Sequence, residues 1–129
     1  MGADQVAELE PSVQEVFEMD AAGRQWCATF TLEDDADRWV QVTRSELNFA
    51  YPYDGEPSAF LEKVELPAWA ALSLIDWAAQ SFATFSFPGG LTARQTSELA
   101  DLLFTAVVGA EEDYALDIEV FEIPPPSRK

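Results

Sequence analysis

Residues 25–32 read QWCATFTL, and this stretch decides the fold. The apolar residues at 26, 28, 30 and 32 alternate with Cys27 and two threonines, which is the period of a half-buried strand. The acidic segment 33–37 that follows has the composition of a turn. The sequence therefore predicts a strand that leads into a hairpin.

Two more strands are predicted directly after this turn, at 38–44 and 46–53. In the second of them, leucine and aromatic side chains recur at every other position and share one face. Pro52 and the Asp-Gly pair that follows end the strand, because proline is tolerated near strand ends and Asp-Gly marks a turn. The three strands together predict a β-meander.

The segment before the meander admits two interpretations. Apolar residues from Val6 to Val16 follow helical spacing, but Pro11 lies among them and would have to be the first residue of a shorter helix. Alternatively, residues 12–19 form a strand and residues 20–23 form a hairpin loop with glycine at its left-handed position. We favour the strand, although the hydrophobic pattern leaves both open.

The second half of the chain is predicted to be mostly helical. Residues 67–78 are apolar on every side of a helix, which predicts a core helix opened by Pro67. A second helix begins at the capping-box pattern of Thr92 and Gln95 and ends at Gly109. The expected architecture thus contains two main helices.

Short strands are predicted on both sides of the second helix, at 84–87 and 116–120. The fold class expected for residues 1–129 is α+β, in one domain with flexible ends at about 1–10 and 124–129. Its sheet is an antiparallel β-meander of four to five strands, and the two main helices pack on one face of it.

The charge of the chain excludes several classes of function. Its 129 residues hold 7 basic and 24 acidic side chains and no histidine, for a formal charge of −17 at pH 7. Without histidine the usual Ser/His/Asp and Cys/His nucleophiles cannot be built, and a lone cysteine does not supply the ligands of a typical zinc site. We expect no enzyme activity, no catalytic residue, no metal and no cofactor. The negative charge disfavours direct nucleic acid binding and anionic membranes.

The composition instead favours a globular protein that binds another protein. Hydrophobic residues make up 48% of the chain, which is far from the composition of acidic disordered tails. No signal peptide or membrane-spanning run is evident, and the lone Cys27 cannot form an internal disulfide, so we expect a cytoplasmic location. The expected partner is a protein that is basic or carries an exposed apolar segment, and a homodimer stays open.

Four aromatic residues are the candidate partner-binding side chains: Trp39, Tyr51, Tyr53 and Trp69. If the helices cover one face of the sheet, some of these rings must lie on the other face. An exposed aromatic patch with an acidic rim is typical of a protein interface.

Three segments resemble the bacterial YbjN and TY-Chap group of domains: 37–42 (DRWVQV), 72–77 (LSLIDW) and 98–103 (ELADLL). The resemblance covers roughly residues 26–121. Domains of this group are similar to type III secretion chaperones, so the resemblance implies partner binding and brings no catalytic residue with it.

Two functions are therefore expected from the sequence. The first is a non-enzymatic, acidic, chaperone-like module that shields a segment of a secreted or regulatory partner. The second is an acidic inhibitor, such as an immunity or anti-defence protein, that blocks a basic or nucleic-acid-binding site. Binding by such an inhibitor should be strongly salt-sensitive.

Overall fold

The computed structural model of the chain describes residues 3–33, 35–64, 66, 70–87, 91–107 and 115–123. These ranges contain three helices and six strands. In chain order they are α1 (Ala3–Ala21), β1 (Trp26–Leu32), β2 (Asp35–Val42), β3 (Glu46–Tyr51), α2 (Pro57–Leu61), β4 (Ser73–Ala78), β5 (Ser81–Ser86), α3 (Ala93–Ala106) and β6 (Leu116–Glu122). The α+β class expected from the sequence is confirmed, with one strand and one helix more than the upper expectation.

The strands form one antiparallel sheet in the order β4-β5-β3-β2-β1-β6. The predicted meander is confirmed as β1-β2-β3. Two additions extend it: β5 pairs with β3 on one side, and β6 pairs with β1 on the other. The sheet edges are therefore β4 and β6.

Helices α1 and α3 pack against each other and against the same face of the sheet, above β1 and β2. Both contribute wholly buried side chains to the core, including Leu9 and Val13 from α1 and Leu103 and Phe104 from α3. The face beneath them is lined by alternate strand residues: Ala28, Phe30, Val40, Val42, Leu47, Phe49, Ala83 and Phe85. Alternation of this kind buries one face and leaves the other to polar residues.

The preference for a strand at 12–19 is wrong, because this segment is part of α1. Val6, Leu9, Val13 and Val16 are buried on one side of that helix, whereas Pro11 lies exposed on the other side. Burial of the apolar stripe stabilises the helix enough to accommodate the proline. Residues 3–10, expected to be flexible, belong to the same helix, and residues 124–129 lie outside the described ranges.

The predicted core helix at 67–78 is also wrong. Residues 73–78 form the edge strand β4, and 67–69 lie outside the described residues. The register of β4 against β5 shifts between Leu74 and Asp76, so Ile75 is an extra residue in the strand. This bulge interrupts the two-residue alternation of apolar and polar side chains that marks a regular strand.

The second predicted helix is confirmed as α3 and the last predicted strand as β6, whereas the predicted helix end at Gly109 lies outside the described residues. The side chain of Thr92 accepts the backbone N–H of Gln95 at 3.0 Å, and the Gln95 side chain accepts the N–H of Thr92 at 3.0 Å. This reciprocal pair is a complete capping box, which satisfies two backbone donors at the start of α3. None of the helices in the described ranges combines the length and apolarity needed to cross a membrane.

Candidate functional site

The sheet has a second face, opposite α1 and α3, which no described helix covers. We call it the open face. The register of the strands assigns to it the residues Cys27, Thr29, Thr31, Trp39, Gln41, Asn48, Ala50, Phe82, Thr84, Asp117, Glu119 and Phe121. It presents both aromatic and polar side chains.

Four side chains form a hydrogen-bonded line across the middle of the open face, which we call the polar row: Thr84, Asn48, Gln41 and Thr29. The Thr84 hydroxyl donates to Asn48 Oδ1 at 2.9 Å, and Asn48 Nδ2 donates to Gln41 Oε1 at 3.1 Å. Gln41 Nε2 then donates to Thr29 Oγ1 at 3.2 Å. All three bonds run in the same direction across four adjacent strands, an arrangement in which neighbouring bonds polarise one another.

The two amides of the polar row retain unused hydrogen-bonding capacity. A primary amide offers two N–H donors and two carbonyl lone pairs. Within the row, Gln41 and Asn48 each use one donor and one lone pair. Both side chains are half-buried, so the remaining donor and acceptor of each can reach water or a bound partner.

Aromatic rings lie on both sides of the polar row. On one side, half-buried Trp39 and Phe82 flank the position of Ala50, which is itself buried. Trp39 is packed against the core, so part of its ring is fixed in place. On the other side, Phe121 is 37% exposed and lies directly across from Cys27 in the β1–β6 pair. The open face thus combines fixed rings with a hydrogen-bonding centre.

A shallow pocket of about 300 Å³ lies at the Phe121 end of the polar row. It is lined by Cys27, Gln41, Thr43, Glu46, Asn48, Thr84, Phe121 and Ile123. Cys27 is buried there, and burial raises the pKa of its thiol, an effect partly offset by hydrogen bonds with the Thr29 side chain and the Val42 backbone. The thiol is therefore held in its neutral, weakly nucleophilic form.

Carboxylates surround the open face. Asp117 and Glu119 are exposed on β6, Asp76 is exposed on β4, and Glu46 is exposed beside the pocket. None of the open-face residues named above is lysine or arginine. The charged side chains among the open-face residues named above are therefore all acidic.

The four candidate partner-binding residues predicted from the sequence do not share one surface. Trp39 lies on the open face, where it is half-buried. Tyr51 lies on the helix-covered face, where it is 2% exposed, so the expectation that its ring is available to a partner does not fit its position. Trp69 lies outside the described residues.

Tyr53 belongs to an aromatic cluster on the helix-covered side. Its ring stacks on Phe60 with a centroid separation of 4.6 Å and meets Tyr51 edge-on at 5.5 Å. Its hydroxyl donates to the carbonyl oxygen of Val107 at 3.1 Å, at the end of α3. The ring is 40% exposed, but these contacts give it a structural role in holding the end of that helix.

The segment 33–37 is predicted from the sequence to be an acidic turn, but only Glu33 is in a turn and strand β2 already begins at Asp35; position 34 lies outside the described residues. Asp35 Oδ1 accepts the backbone N–H of Asp37 at 3.0 Å, and its other carboxylate oxygen pairs with Arg38 Nε at 3.1 Å. Within the described ranges, no group of three or more Cys, Asp or Glu side chains is arranged to hold a metal ion.

The sequence did not single out the polar row, Phe82 or Phe121. The signal was present in the alternation: Gln41 lies between Val40 and Val42, and Asn48 lies between Leu47 and Phe49. A polar amide between two core residues of a strand must point to the opposite face. Which amides then meet depends on strand register, which that pattern does not give.

No protein-family model, curated protein or solved structure matches the chain.

Proposed function

We propose that the protein is a non-enzymatic, chaperone-like module that binds a segment of a basic protein partner on the open face of its sheet. The observation that carries this proposal is the combination of partly exposed rings, hydrogen-bonding amides and surrounding carboxylates on the one face that the described helices leave uncovered. The proposed location is the cytoplasm, where the single cysteine would remain reduced.

The composition of the open face supports a protein partner. Interfaces combine aromatic anchors with satisfied polar groups, and binding energy concentrates in a few large rings such as tryptophan. Trp39 offers such an anchor, and its contact with the core reduces the side-chain entropy lost on binding. Gln41 and Asn48 supply hydrogen bonds that an extended peptide backbone could use.

The charge of the open face supports a basic partner. Asp117 and Glu119 lie at one side of the sheet, and Asp76 lies at the other. A segment with lysine or arginine residues would place positive charge against both sides and would be attracted at long range by the net charge of −17. Two copies of this face would bring like charges together, so a homodimer through it is disfavoured.

The alternative function, an acidic inhibitor that imitates nucleic acid, is less well supported by the same geometry. A mimic of a phosphate backbone needs carboxylates in a regular line, since B-DNA carries about one charge per 1.7 Å of axis. On the open face the central line is the neutral polar row, and the carboxylates lie towards the two sides. We therefore keep the inhibitor as an outcome that the experiment can identify.

The experiment compares variants of the immobilised protein in capturing partners from a lysate of the source organism, at low and at high salt. Trp39→Ala and Phe121→Ala remove rings from the open face. Ile75→Ala is the matched control, because Ile75 is a large apolar side chain with 52% exposure at the β4 bulge. Thermal unfolding of each variant confirms that it is folded before capture is compared.

We expect one partner to be retained by the wild type and by Ile75→Ala and to be lost or strongly reduced in both ring variants. Retention should weaken moderately with salt and persist at high salt, because apolar contacts to the rings are not screened. Equal retention by all variants would contradict the proposal. Capture of a nuclease or another nucleic-acid-binding protein that is lost entirely at high salt would identify the inhibitor instead.

A further inference from the structure

The two edges of the sheet are built differently. β6 pairs with β1 over all seven of its residues, from Leu116 to Glu122, without a register shift. No described strand pairs with the other side of β6. A regular edge strand of this length presents a row of unpaired backbone groups that can accept another strand.

The direction of these backbone groups follows from the hydrogen bonds at the two ends of the β1–β6 pair. The N–H of Glu33 donates to the carbonyl of Ala115 at 3.0 Å, and the N–H of Ile123 donates to the carbonyl of Gln25 at 2.8 Å. In an antiparallel pair, residues that bond to the partner alternate with residues whose N–H and C=O point away from it. Odd-numbered residues of β6 therefore bond to β1, and the even-numbered residues direct their backbone groups outward.

The opposite edge is closed to a new strand. β4 carries the bulge at Ile75, and the carboxylate of Asp76 accepts the backbone N–H of Trp77 at 2.9 Å. A bulge twists an edge away from regular pairing, and a side chain that occupies a backbone N–H competes with an incoming strand. The irregular backbone of β4 therefore disfavours the addition of a strand, whereas the backbone of β6 is regular.

The side chains of β6 define which strand it can accept. On the open-face side, Asp117 and Glu119 are exposed. On the helix side, Ile118 is 38% exposed and Val120 is partly buried. An added strand would therefore place alternate residues next to carboxylates and the residues between them next to an apolar surface.

A second copy of β6 does not fit this description. Antiparallel pairing of β6 with itself would bring the Asp117 and Glu119 carboxylates of the two copies onto the same face at neighbouring positions. Like charges placed opposite one another destabilise a strand pair, and the net charge of each copy adds long-range repulsion. The same carboxylates would attract a strand with basic side chains.

We propose that β6 accepts an extended segment with alternating basic and apolar residues as a seventh strand of the sheet. Its basic side chains would lie beside Asp117 and Glu119, and its apolar side chains would lie beside Ile118 and Val120. The segment would run antiparallel to β6, the more stable of the two pairings. This inference rests on the proposed function, since it specifies how a basic partner segment would lie beside the open face.

A synthetic peptide as long as β6, with alternating lysine and valine and a fluorescent label, tests the proposal by fluorescence anisotropy. In the proposed pairing, the valines lie opposite Ile118 and Val120 and share hydrogen bonds with their outward backbone groups. N-methylation of the valine amides removes these donors. N-methylation of the same number of lysine amides is the matched control, because those amides point away from β6.

We expect the peptide methylated at valine to bind at least about tenfold more weakly than the peptide methylated at lysine, since several backbone bonds are lost together. Equal affinities of the two methylated peptides, or no binding of the unmodified peptide, would overturn the proposal. The protein variants Glu119→Gln and Glu62→Gln form a second matched pair. Each removes one exposed carboxylate, but only Glu119 lies on the proposed edge.

At low salt, Glu119→Gln should weaken binding of the unmodified peptide by roughly twofold to fivefold, as for a partly screened surface pair. Glu62→Gln should leave the affinity unchanged, because Glu62 directly follows α2, which contacts β4 at the opposite edge of the sheet. Equal effects of the two substitutions would contradict docking on β6. The proposed function is judged separately by partner capture with Phe121→Ala. If the peptide fails to bind while that variant loses its partner, the open face binds a partner without strand addition.

Discussion

Replacing Asn48 with alanine cuts the polar row in the middle, and we expect the free energy of unfolding to fall by about 1–2 kcal/mol. The Asn48 side chain accepts a hydrogen bond from Thr84 at 2.9 Å and donates one to Gln41 at 3.1 Å. A neutral hydrogen bond contributes about 0.5–1.5 kcal/mol net. Water can reach this half-buried side chain and replace part of the loss, so the lower part of the summed range applies.

Urea denaturation followed by tryptophan fluorescence measures this loss. The midpoint should decrease while the dependence on urea stays constant, because the surface exposed on unfolding does not change. For a domain of this length, the expected loss corresponds to a decrease in Tm of roughly 3–10 °C. The wild type and the variant should show the same far-ultraviolet circular dichroism before denaturation.

Thr84→Val serves as the partner in a double-mutant cycle. It removes one of the two bonds of Asn48 and should cost about 0.5–1 kcal/mol by itself. Because that bond is lost in both single variants, the double variant should be about as stable as Asn48→Ala alone. Additive losses, or an Asn48→Ala protein as stable as the wild type, would refute the reasoning that the row acts as a connected chain.

Three other predictions concern single side chains. Tyr53→Phe should reduce the free energy of unfolding by about 1 kcal/mol in urea denaturation, because it removes only the hydroxyl that donates to Val107; no change would exclude this role. The ion pair with Arg24 holds the pKa of Glu122 below its usual value. The stabilising contribution of this ion pair is fully present above the unfolded-state pKa and disappears as the pH falls through the lower folded-state pKa. The stabilities of Glu122→Gln and of the wild type should therefore differ at neutral pH and converge in acid, below the ordinary glutamate pKa. A difference between their urea midpoints that stays constant over a pH series would contradict this. Cys27 should react with Ellman's reagent at pH 8 at least about tenfold more slowly in the native protein than in urea, because burial raises its pKa and restricts access; equal rates would contradict a buried thiol.

The central meander could be predicted from the sequence because its strands alternate cleanly. From Trp26 to Leu32 and again around Leu47 and Phe49, every second side chain is apolar and the side chains between them are polar or small. A sheet with one covered face imposes this pattern on its central strands. The start of α3 was predictable for a local reason, since a capping box needs only Thr92 and Gln95 at the correct spacing.

The two wrong assignments each have a local signal that the tertiary structure overrides. Pro11 argues against a helix interior, but it lies on the exposed side of α1 while Leu9 and Val13 are wholly buried. In β4 the extra residue Ile75 shifts the register against β5 by one position, so that apolar and polar residues no longer alternate along the strand. Burial of a whole helix face and an irregular edge strand are properties of the assembled fold that a short window of sequence does not contain.

The candidate site was predictable in part. Trp39 alternates with Val40 in a strand and so could be assigned to the face opposite the core. The structural role of Tyr53 was not predictable, because its hydrogen bond to Val107 joins two segments far apart in the chain. The polar row depends on side chains from four strands, and their meeting is decided by registers that only the folded sheet defines.

The pairing of β1 with β6 also has a consequence for synthesis on the ribosome. Residues 26–32 leave the ribosome before residues 116–122, which form the strand that completes their hydrogen bonding. The meander can form while translation continues, but β1 remains an edge strand until residues 116–122 have left the exit tunnel of the ribosome. Contacts between such distant segments form slowly. The period between these two events is therefore when the nascent chain is most prone to pair with neighbouring chains and aggregate.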